Sequence, residues 1–180
     1  MSGKIVLVTG GARSGKSAFA EKYAQNVNKK TAYFATAQIF DEEMKERIAR
    51  HRSRRPQEWA TYETPFDAEE EMAKVTDTFD VVLFDCLTIY LSNLFLSPAM
   101  PAARHLRQEA VLAKMEKLMR TAKAGKAEVV FVTNEVGLGI VPDNPLAREY
   151  RDLAGLVNQK AASFAAEVYL IVCGMPLQIK

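Results

Sequence analysis

Residues 5–17 read IVLVTGGARSGKS: an apolar, β-favouring run followed by a glycine-rich turn and then by Lys16 and Ser17. The segment Gly10–Ser17 matches G-x-x-x-x-G-K-[ST] at every fixed position. In this pattern the glycines allow a tight turn whose backbone N–H groups point inward, Lys16 supplies a positive charge for phosphates, and Ser17 offers its hydroxyl to Mg²⁺. A helix that begins at Ser17 adds the positive end of its dipole. The stretch therefore predicts a strand, a phosphate-binding loop and a helix.

Short β-branched or aromatic runs alternate with helix-like segments along the rest of the chain. Strands are predicted at Lys4–Thr9, Thr31–Ala35, Asp80–Asp85, Glu128–Thr133 and Glu167–Cys173, with a short extended piece at Ala60–Thr64. Helices are predicted at Ser17–Asn26, Asp41–Ser53, Asp67–Val75, Leu87–Leu96, Arg104–Lys123 and Leu146–Ala166. Several strands are almost wholly apolar, which is typical of parallel strands with helices on both faces. The pattern and the loop motif predict an α/β fold: one P-loop NTPase domain over residues 1–180, with a mostly parallel sheet.

The composition is that of an ordinary globular protein, with 48% hydrophobic residues, 26% charged residues and a net charge of +2. So small a charge does not indicate a surface for nucleic acid or for an anionic membrane. Polar residues interrupt every long apolar stretch, and the first apolar run is too short for a signal peptide, so we expect a cytoplasmic protein without a membrane span. Cys86 and Cys173 both lie in apolar, strand-like sequence, which predicts two buried thiols rather than a disulfide.

Asp85 follows four apolar strand residues, and ligands of parallel sheets bind beyond the carboxyl ends of the strands. Asp85 is therefore predicted on the Mg²⁺ side of a bound polyphosphate. It could also cap the helix that begins near Leu87, and the two roles are compatible. Asp80, at the other end of the same strand, is predicted to face solvent.

The strand-end sequence Thr133-Asn134-Glu135-Val136 lacks the Lys and the Asp of the guanine-reading N-K-x-D motif. This difference argues against a regulatory GTPase. A helicase-type motor would bring more chain and a broader basic face than a net charge of +2 suggests. A small phosphotransferase fits the sequence better.

Five arginines surround His51 within residues 47–55. The segment could be a solvated basic helix end or a nucleic-acid patch. It could also be a polyphosphate site with His51 as nucleophile, since nearby arginines favour the neutral imidazole, whose lone pair can attack phosphorus. The arginines would also neutralise charge on the transferring group and on departing pyrophosphate. His105, the other histidine, is predicted at the surface where a helix begins.

Further motifs join the glycine-rich loop GGARSGKS and span essentially the whole chain. They are Ala35-Thr36-Ala37-Gln38, Arg47-Ile48-x-x-His51-Arg52-x-x-Arg55-Pro56-x-x-Trp59-x-Thr61-x-Glu63, Asp85-Cys86-Leu87-Thr88, Val132-Thr133-Asn134-Glu135-Val136-Gly137 and Tyr150-Arg151-Asp152-x-x-Gly155-x-x-Asn158-Gln159. Together they resemble the bifunctional adenosylcobinamide kinase / adenosylcobinamide-phosphate guanylyltransferase family of cobalamin biosynthesis. Some relatives carry a second histidine beside the reactive one, where this chain has Arg50.

The resemblance implies a RecA-like P-loop domain with helices on both faces of the sheet, two reactions and a homotrimer. In the first, the γ-phosphate of ATP or GTP passes to the aminopropanol hydroxyl of adenosylcobinamide. In the second, GTP loses pyrophosphate as GMP becomes bonded to a histidine, which falls on His51; GMP then passes to adenosylcobinamide phosphate, giving adenosyl-GDP-cobinamide. Lys16 is expected to act as a catalytic group, and Mg²⁺ is expected at Ser17 and Asp85. The implied nucleotide contacts are Gly10, Gly11, Ala12, Arg13, Ser14, Gly15, Lys16, Ser17, Ala35, Thr36, Ala37, Arg52, Ser53, Arg54, Arg55, Glu63 and Asp85.

The residues leave several roles open. Asp85 or Glu135 could orient the acceptor hydroxyl or Mg²⁺, and neither is assigned as the general base. No motif identifies the residue that reads guanine. Arg148, Arg151 and Asn158 are candidates for corrinoid contacts, and packing or interface roles are the alternative. The remaining alternatives are a single-activity P-loop kinase of another small metabolite and a nucleotide-dependent switch.

Overall fold

A computed structural model of the chain describes residues 3–27, 29–38, 42, 49, 52 and 55–180. The strands of this part are β1 (Ile5–Gly10), β2 (Thr31–Ala35), β3 (Ala60–Glu63), β4 (Val81–Asp85), β5 (Glu128–Val132), β6 (Glu167–Val172) and β7 (Met175–Gln178). They form a seven-stranded sheet in the order β3-β2-β4-β5-β1-β6-β7. Neighbouring strands in this order are parallel, except that β7 runs antiparallel to β6. The carboxyl ends of the parallel strands thus share one edge of the sheet.

Helices cover both faces of this sheet. They are α1 (Lys16–Val27), α2 (Ala68–Val75), α3 (Leu87–Phe95), α4 (Arg104–Ala124) and α5 (Pro145–Phe164), with a 3₁₀ turn at Val136–Leu138. Successive strand side chains point to opposite faces, so Val6 and Val8 pack with α1 while Ile5 and Leu7 pack with the other four helices. The α/β prediction with a mostly parallel sheet is confirmed.

Among the described helices, α5 has the clearest N-terminal cap. The Asn144 side chain at its N-cap accepts hydrogen bonds from the N–H groups of Leu146 and Ala147, at 2.8 and 3.3 Å. Pro145, at the first helical position, has no N–H that needs a partner. This cap directs α5 back across the sheet, where Val157 and Ala161 are buried in the core.

The predicted strands and helices that lie in the described part of the chain are present, with ends shifted by a few residues. The predicted helix Asp41–Ser53 lies mainly outside that part. The sequence pattern does not predict strand β7, because the stretch is only four residues long and includes a proline. All four residues are exposed. The strand forms because Cys173 and Gly174, with φ values of 51° and 79°, make a tight turn that reverses the chain after β6.

The same turn corrects one prediction. Cys173 is exposed in the turn rather than buried in a strand, whereas Cys86 is buried as expected. Asp80 is exposed and accepts a hydrogen bond from the N–H of Lys30 at 3.3 Å, and His105 is exposed in the first turn of α4; both predictions are confirmed. Within the described ranges, no helix is long and apolar enough to cross a membrane.

Candidate active site

The glycine-rich loop connects the carboxyl end of β1 to the start of α1. A Cβ atom at Gly10 would lie 2.6 Å from the carbonyl oxygen of Ile171, and one at Gly15 would lie 3.1 Å from Cα of Gly174. Gly15 also has a φ of 97°, which side chains disfavour. Two fixed positions of the motif are thus glycine because the β6–β7 side of the sheet crowds the loop.

The Lys16 side chain folds back over this loop. Its ammonium donates a hydrogen bond to the carbonyl oxygen of Gly11 at 3.0 Å, and the residue is only 8% exposed. Ser17 follows in the first turn of α1 and is half-buried, while Ala12 and Arg13 lie exposed at the tip of the loop. The loop, the ammonium and the helix N-terminus therefore face the same region, an arrangement that suits a polyphosphate.

Asp85 is the last residue of β4, and a side chain of the neighbouring strand β2 is hydrogen-bonded to its carboxylate. The hydroxyl of Tyr33, which is buried in β2, donates to Oδ2 of Asp85 at 2.9 Å. Burial raises the pKa of Tyr33 well above its ordinary value, and the Asp85 carboxylate adds to this shift, so the hydroxyl stays a donor. Helix α3 has Cys86 at its N-cap, without a side-chain cap bond. The described hydrogen bond of Asp85 is to Tyr33, and Asp85 makes no described bond that caps α3.

Two residues of the arginine-rich segment contact this edge. The guanidinium carbon of Arg55 lies 3.3 Å from the centre of the Tyr33 ring, so Tyr33 contacts both Arg55 and Asp85. Arg52 forms an exposed ion pair with Glu63, the last residue of β3, at 3.0 Å. His51, Ser53 and Arg54 lie outside the described residues.

The end of β2 and the loop after it place Ala35, Thr36 and Ala37 at the same edge, but the Thr36 side chain is hydrogen-bonded to Cys86. Its hydroxyl donates to the carbonyl oxygen of Cys86 at 3.0 Å and accepts from the Cys86 N–H at 2.9 Å. Asn93 donates to the carbonyl oxygen of Thr36 at 2.8 Å. Thr36 therefore joins the ends of β2 and β4, and Ala35 and Ala37 are half-buried beside it.

A polar network beyond β5 extends the site past the predicted residues. The Thr9 hydroxyl donates to Oε1 of Glu135, and Asn158 of α5 donates to the same oxygen at 3.1 Å. Thr133 donates to Oδ1 of Asn158 at 2.7 Å. Glu135 and Asn158 are candidates for separate roles in the sequence, and the fold brings them into contact. The sequence signal for Glu135 is its place among the polar residues that directly follow an apolar strand.

Three known proteins are similar to this chain over nearly its whole length. The chain is 40% identical over 181 residues to "Bifunctional adenosylcobalamin biosynthesis protein CobU" of Escherichia coli strain K12, covering 98% of this chain and 99% of the relative. The protein of the same name in Salmonella typhimurium strain LT2 is 39% identical, with the same coverage. "Bifunctional adenosylcobalamin biosynthesis protein CobP" of Pseudomonas aeruginosa PAO1 is 38% identical over 174 residues, covering 97% of this chain and 96% of the relative.

Solved structures support the fold at low identity. The RadB recombinase superposes with a TM-score of 0.51 at 16% identity, over 94% of this chain and 74% of that one. An ATPase from a bacterial type III secretion system gives 0.58 at 15% identity, over 94% of this chain and 51% of that one. The sequence model of the family described as "Cobinamide kinase / cobinamide phosphate guanyltransferase" matches residues 6–179. With a match of this extent and relatives similar over their full length, the chain belongs to the cobinamide kinase / cobinamide phosphate guanyltransferase family.

Proposed function

We propose that this chain catalyses both reactions of its family on one nucleotide site. ATP or GTP phosphorylates adenosylcobinamide; GTP then donates GMP, through a histidine intermediate, to adenosylcobinamide phosphate, giving adenosyl-GDP-cobinamide and pyrophosphate. The observation that supports this best is the shared edge of the sheet: the Lys16 loop, Asp85 and two arginines of the segment around His51 all lie at the carboxyl ends of the parallel strands.

In the kinase step, residues Gly10–Ser17 hold the phosphates through backbone N–H groups and the Lys16 ammonium. The Ser17 hydroxyl and the Asp85 carboxylate are hard oxygen donors, and Mg²⁺ bound through substrate phosphates needs only one or two such protein ligands. The hydrogen bond from Tyr33 orients the carboxylate for that role. When bound, the ion would neutralise charge on the β- and γ-phosphates.

In the guanylyl step, an imidazole nitrogen of His51 attacks the α-phosphorus and pyrophosphate leaves. Arg52 and Arg55 follow His51 within four residues and contact Glu63 and Tyr33 at the sheet edge, which supports a place for His51 near the phosphates. Arg52–Arg55, Glu63 and the loop Ala35–Ala37 would contact the nucleotide. Double displacement divides one difficult transfer into two easier ones.

A homotrimer in the cytoplasm belongs to the same proposal. Apolar side chains stand exposed on two surfaces of the described chain. They are Leu138, Ile140 and Val141 after β5, and Met175, Leu177 and Ile179 in and beyond β7. Apolar surface of this kind is typical of contacts with partner subunits or with a large, partly apolar ligand. Both uses are compatible with a corrinoid bound where subunits meet.

Product analysis tests the two-reaction proposal. Purified protein with Mg²⁺, adenosylcobinamide and ATP should yield adenosylcobinamide phosphate, and added GTP should convert it to adenosyl-GDP-cobinamide, both identified by mass spectrometry. Lys16→Ala should slow both steps by about 100-fold or more, because the loop loses its charge on the phosphates. His105→Ala, at an exposed site on α4, should leave both unchanged. Phosphorylation without GMP transfer by the native protein would reduce the function to a single-activity kinase.

A further inference from the structure

Strand β5 occupies the middle of the candidate site. It lies between β1, which leads into the phosphate-binding loop, and β4, which ends at Asp85. Val132, its last residue, is in register with Val8 on one side and with Asp85 on the other. Residues that follow Val132 therefore emerge between the loop and the Asp85 carboxylate.

Glu135 is the charged residue that emerges there. Its backbone N–H donates to the carbonyl oxygen of Gly10, the first residue of the loop motif, at 3.1 Å. Its Oε1 accepts the hydrogen bonds of Thr9 and Asn158 described above. Among the described hydrogen bonds, none falls on Oε2. The side chain is thus held by one oxygen, and the residue itself is only half-buried.

The donors that hold Glu135 are themselves buried and bonded. Thr9 is 4% exposed and Asn158 is 9% exposed. Asn158 also donates to the carbonyl oxygen of Asn134 at 3.0 Å, and the Asn134 N–H donates to the Thr88 hydroxyl at 2.9 Å. Such a bonded network fixes the position of a carboxylate more tightly than an exposed loop would.

We propose that Glu135 is the general base of the kinase step, with Thr9 and Asn158 as its positioning residues. This inference rests on the proposed function, because it names the group that accepts the proton of the corrinoid hydroxyl. Asp85 serves less well as that base, because its proposed role is as a ligand of Mg²⁺.

The kinase step exchanges one bond to the γ-phosphorus for another. The acceptor oxygen forms a bond to the γ-phosphorus while the bond from that phosphorus to the β,γ-bridging oxygen breaks, and the nucleoside diphosphate leaves with that electron pair. The hydroxyl proton passes to Oε2 of Glu135, which later releases it to water. Guanylylation of His51 has no such proton to remove, because a neutral imidazole attacks with a ring-nitrogen lone pair. Loss of this base should therefore separate the two steps.

Glu135→Gln, assayed in the full-length protein, tests the proposal. The kinase kcat should fall by about 100- to 10,000-fold, the range of general base catalysis, with little change in the KM for nucleotide. Retention of the α-phosphate of GTP on the protein should stay at the native level. Asp85→Asn, in contrast, should impair both steps, and Glu109→Gln, on the exposed face of α4, should impair neither.

Two results for Glu135→Gln would overturn the assignment. One is a kinase rate within about threefold of native, which is well under the effect of a general base, and the other is an equal loss of kinase activity and GTP labelling.

Thr9→Val provides a second variant, of similar shape, that leaves the carboxylate in place. It should slow the kinase step by about tenfold and preserve labelling, as expected when one hydrogen bond of about 1.4 kcal/mol is lost. Native protein that neither phosphorylates the corrinoid nor retains label would instead remove the proposed function itself.

Discussion

Tyr33 lies at the contact between two parts of the site. Its hydroxyl bonds to Asp85 while its ring faces the guanidinium of Arg55. Because the residue is only 2% exposed, this geometry is set by the core rather than by solvent-facing loops. One side chain thus couples the position of the proposed Mg²⁺ ligand to the segment that carries His51.

Tyr33→Phe should keep the ring against Arg55 and remove only the bond to Asp85. We expect the Mg²⁺ concentration for half-maximal activity to rise by about three- to tenfold, because the hydrogen bond that orients the carboxylate contributes about 1 kcal/mol. Tyr169→Phe is the matched control, since the Tyr169 hydroxyl bonds to the Glu167 carboxylate, also at 2.9 Å, near the opposite edge of the sheet. An unchanged Mg²⁺ requirement in Tyr33→Phe, measured by titration, would show that Tyr33 does not orient Asp85.

At the scale of elements, the phosphate-binding loop depends on close packing against the β6–β7 turn. Gly15→Ala should lower the free energy of unfolding by about 1–3 kcal/mol, because of its φ of 97° and the 3.1 Å approach to Gly174, and should weaken nucleotide binding. Gly155→Ala in α5 is the control: a Cβ there meets nothing within 4 Å, so stability should rise by about 0.5–1 kcal/mol. Urea unfolding and nucleotide titration measure both effects. Equal stabilities for the two variants would contradict the packing argument.

Elements with local signals were predictable from the sequence. The loop motif and the apolar runs of β1, β4 and β5 carry their own periodicity and turn residues. Strand β7 carries none, because its pairing depends on a turn at Cys173 and on a partner strand. The same distinction applies to the residues of the site. Positions at strand ends could be predicted, but the bond between Thr9 and Glu135 joins residues 126 apart, and no spacing along the chain specifies it.

Across the whole molecule, the two edges of the sheet have different roles. The carboxyl edge carries the candidate chemistry, and the amino edge carries a charge cluster. Lys4, just before β1, pairs with Glu128 at 3.0 Å and with Glu167 at 2.7 Å, at the starts of β5 and β6. The hydrogen bond from Lys4 lowers the pKa of the Glu167 carboxyl, against the opposing effect of partial burial. The cluster ties together three neighbouring strands away from the site.

This cluster predicts a pH dependence of stability. Since the folded pKa of Glu167 lies below its unfolded value of about 4.3, its contribution is present above that pH and is lost as the pH falls further through the folded pKa. Glu167→Gln should therefore destabilise the protein at pH 7 and much less near pH 3, as measured by urea unfolding at each pH. Activity per folded molecule should not change. Destabilisation of the same size at both pH values would contradict a role for the charge.

The two-reaction proposal depends most on His51, and covalent retention of label from GTP is the decisive measurement. Protein incubated with Mg²⁺ and GTP labelled at the α-phosphate, then denatured, should keep the label in a form that is stable to base and labile to acid, as phosphorus–nitrogen bonds are. GTP labelled at the γ-phosphate should leave none. His51→Ala should abolish the retained label, and His105→Ala should preserve it. Native protein without covalent α-label, or His51→Ala that still carries it, would contradict guanylyl transfer through this histidine.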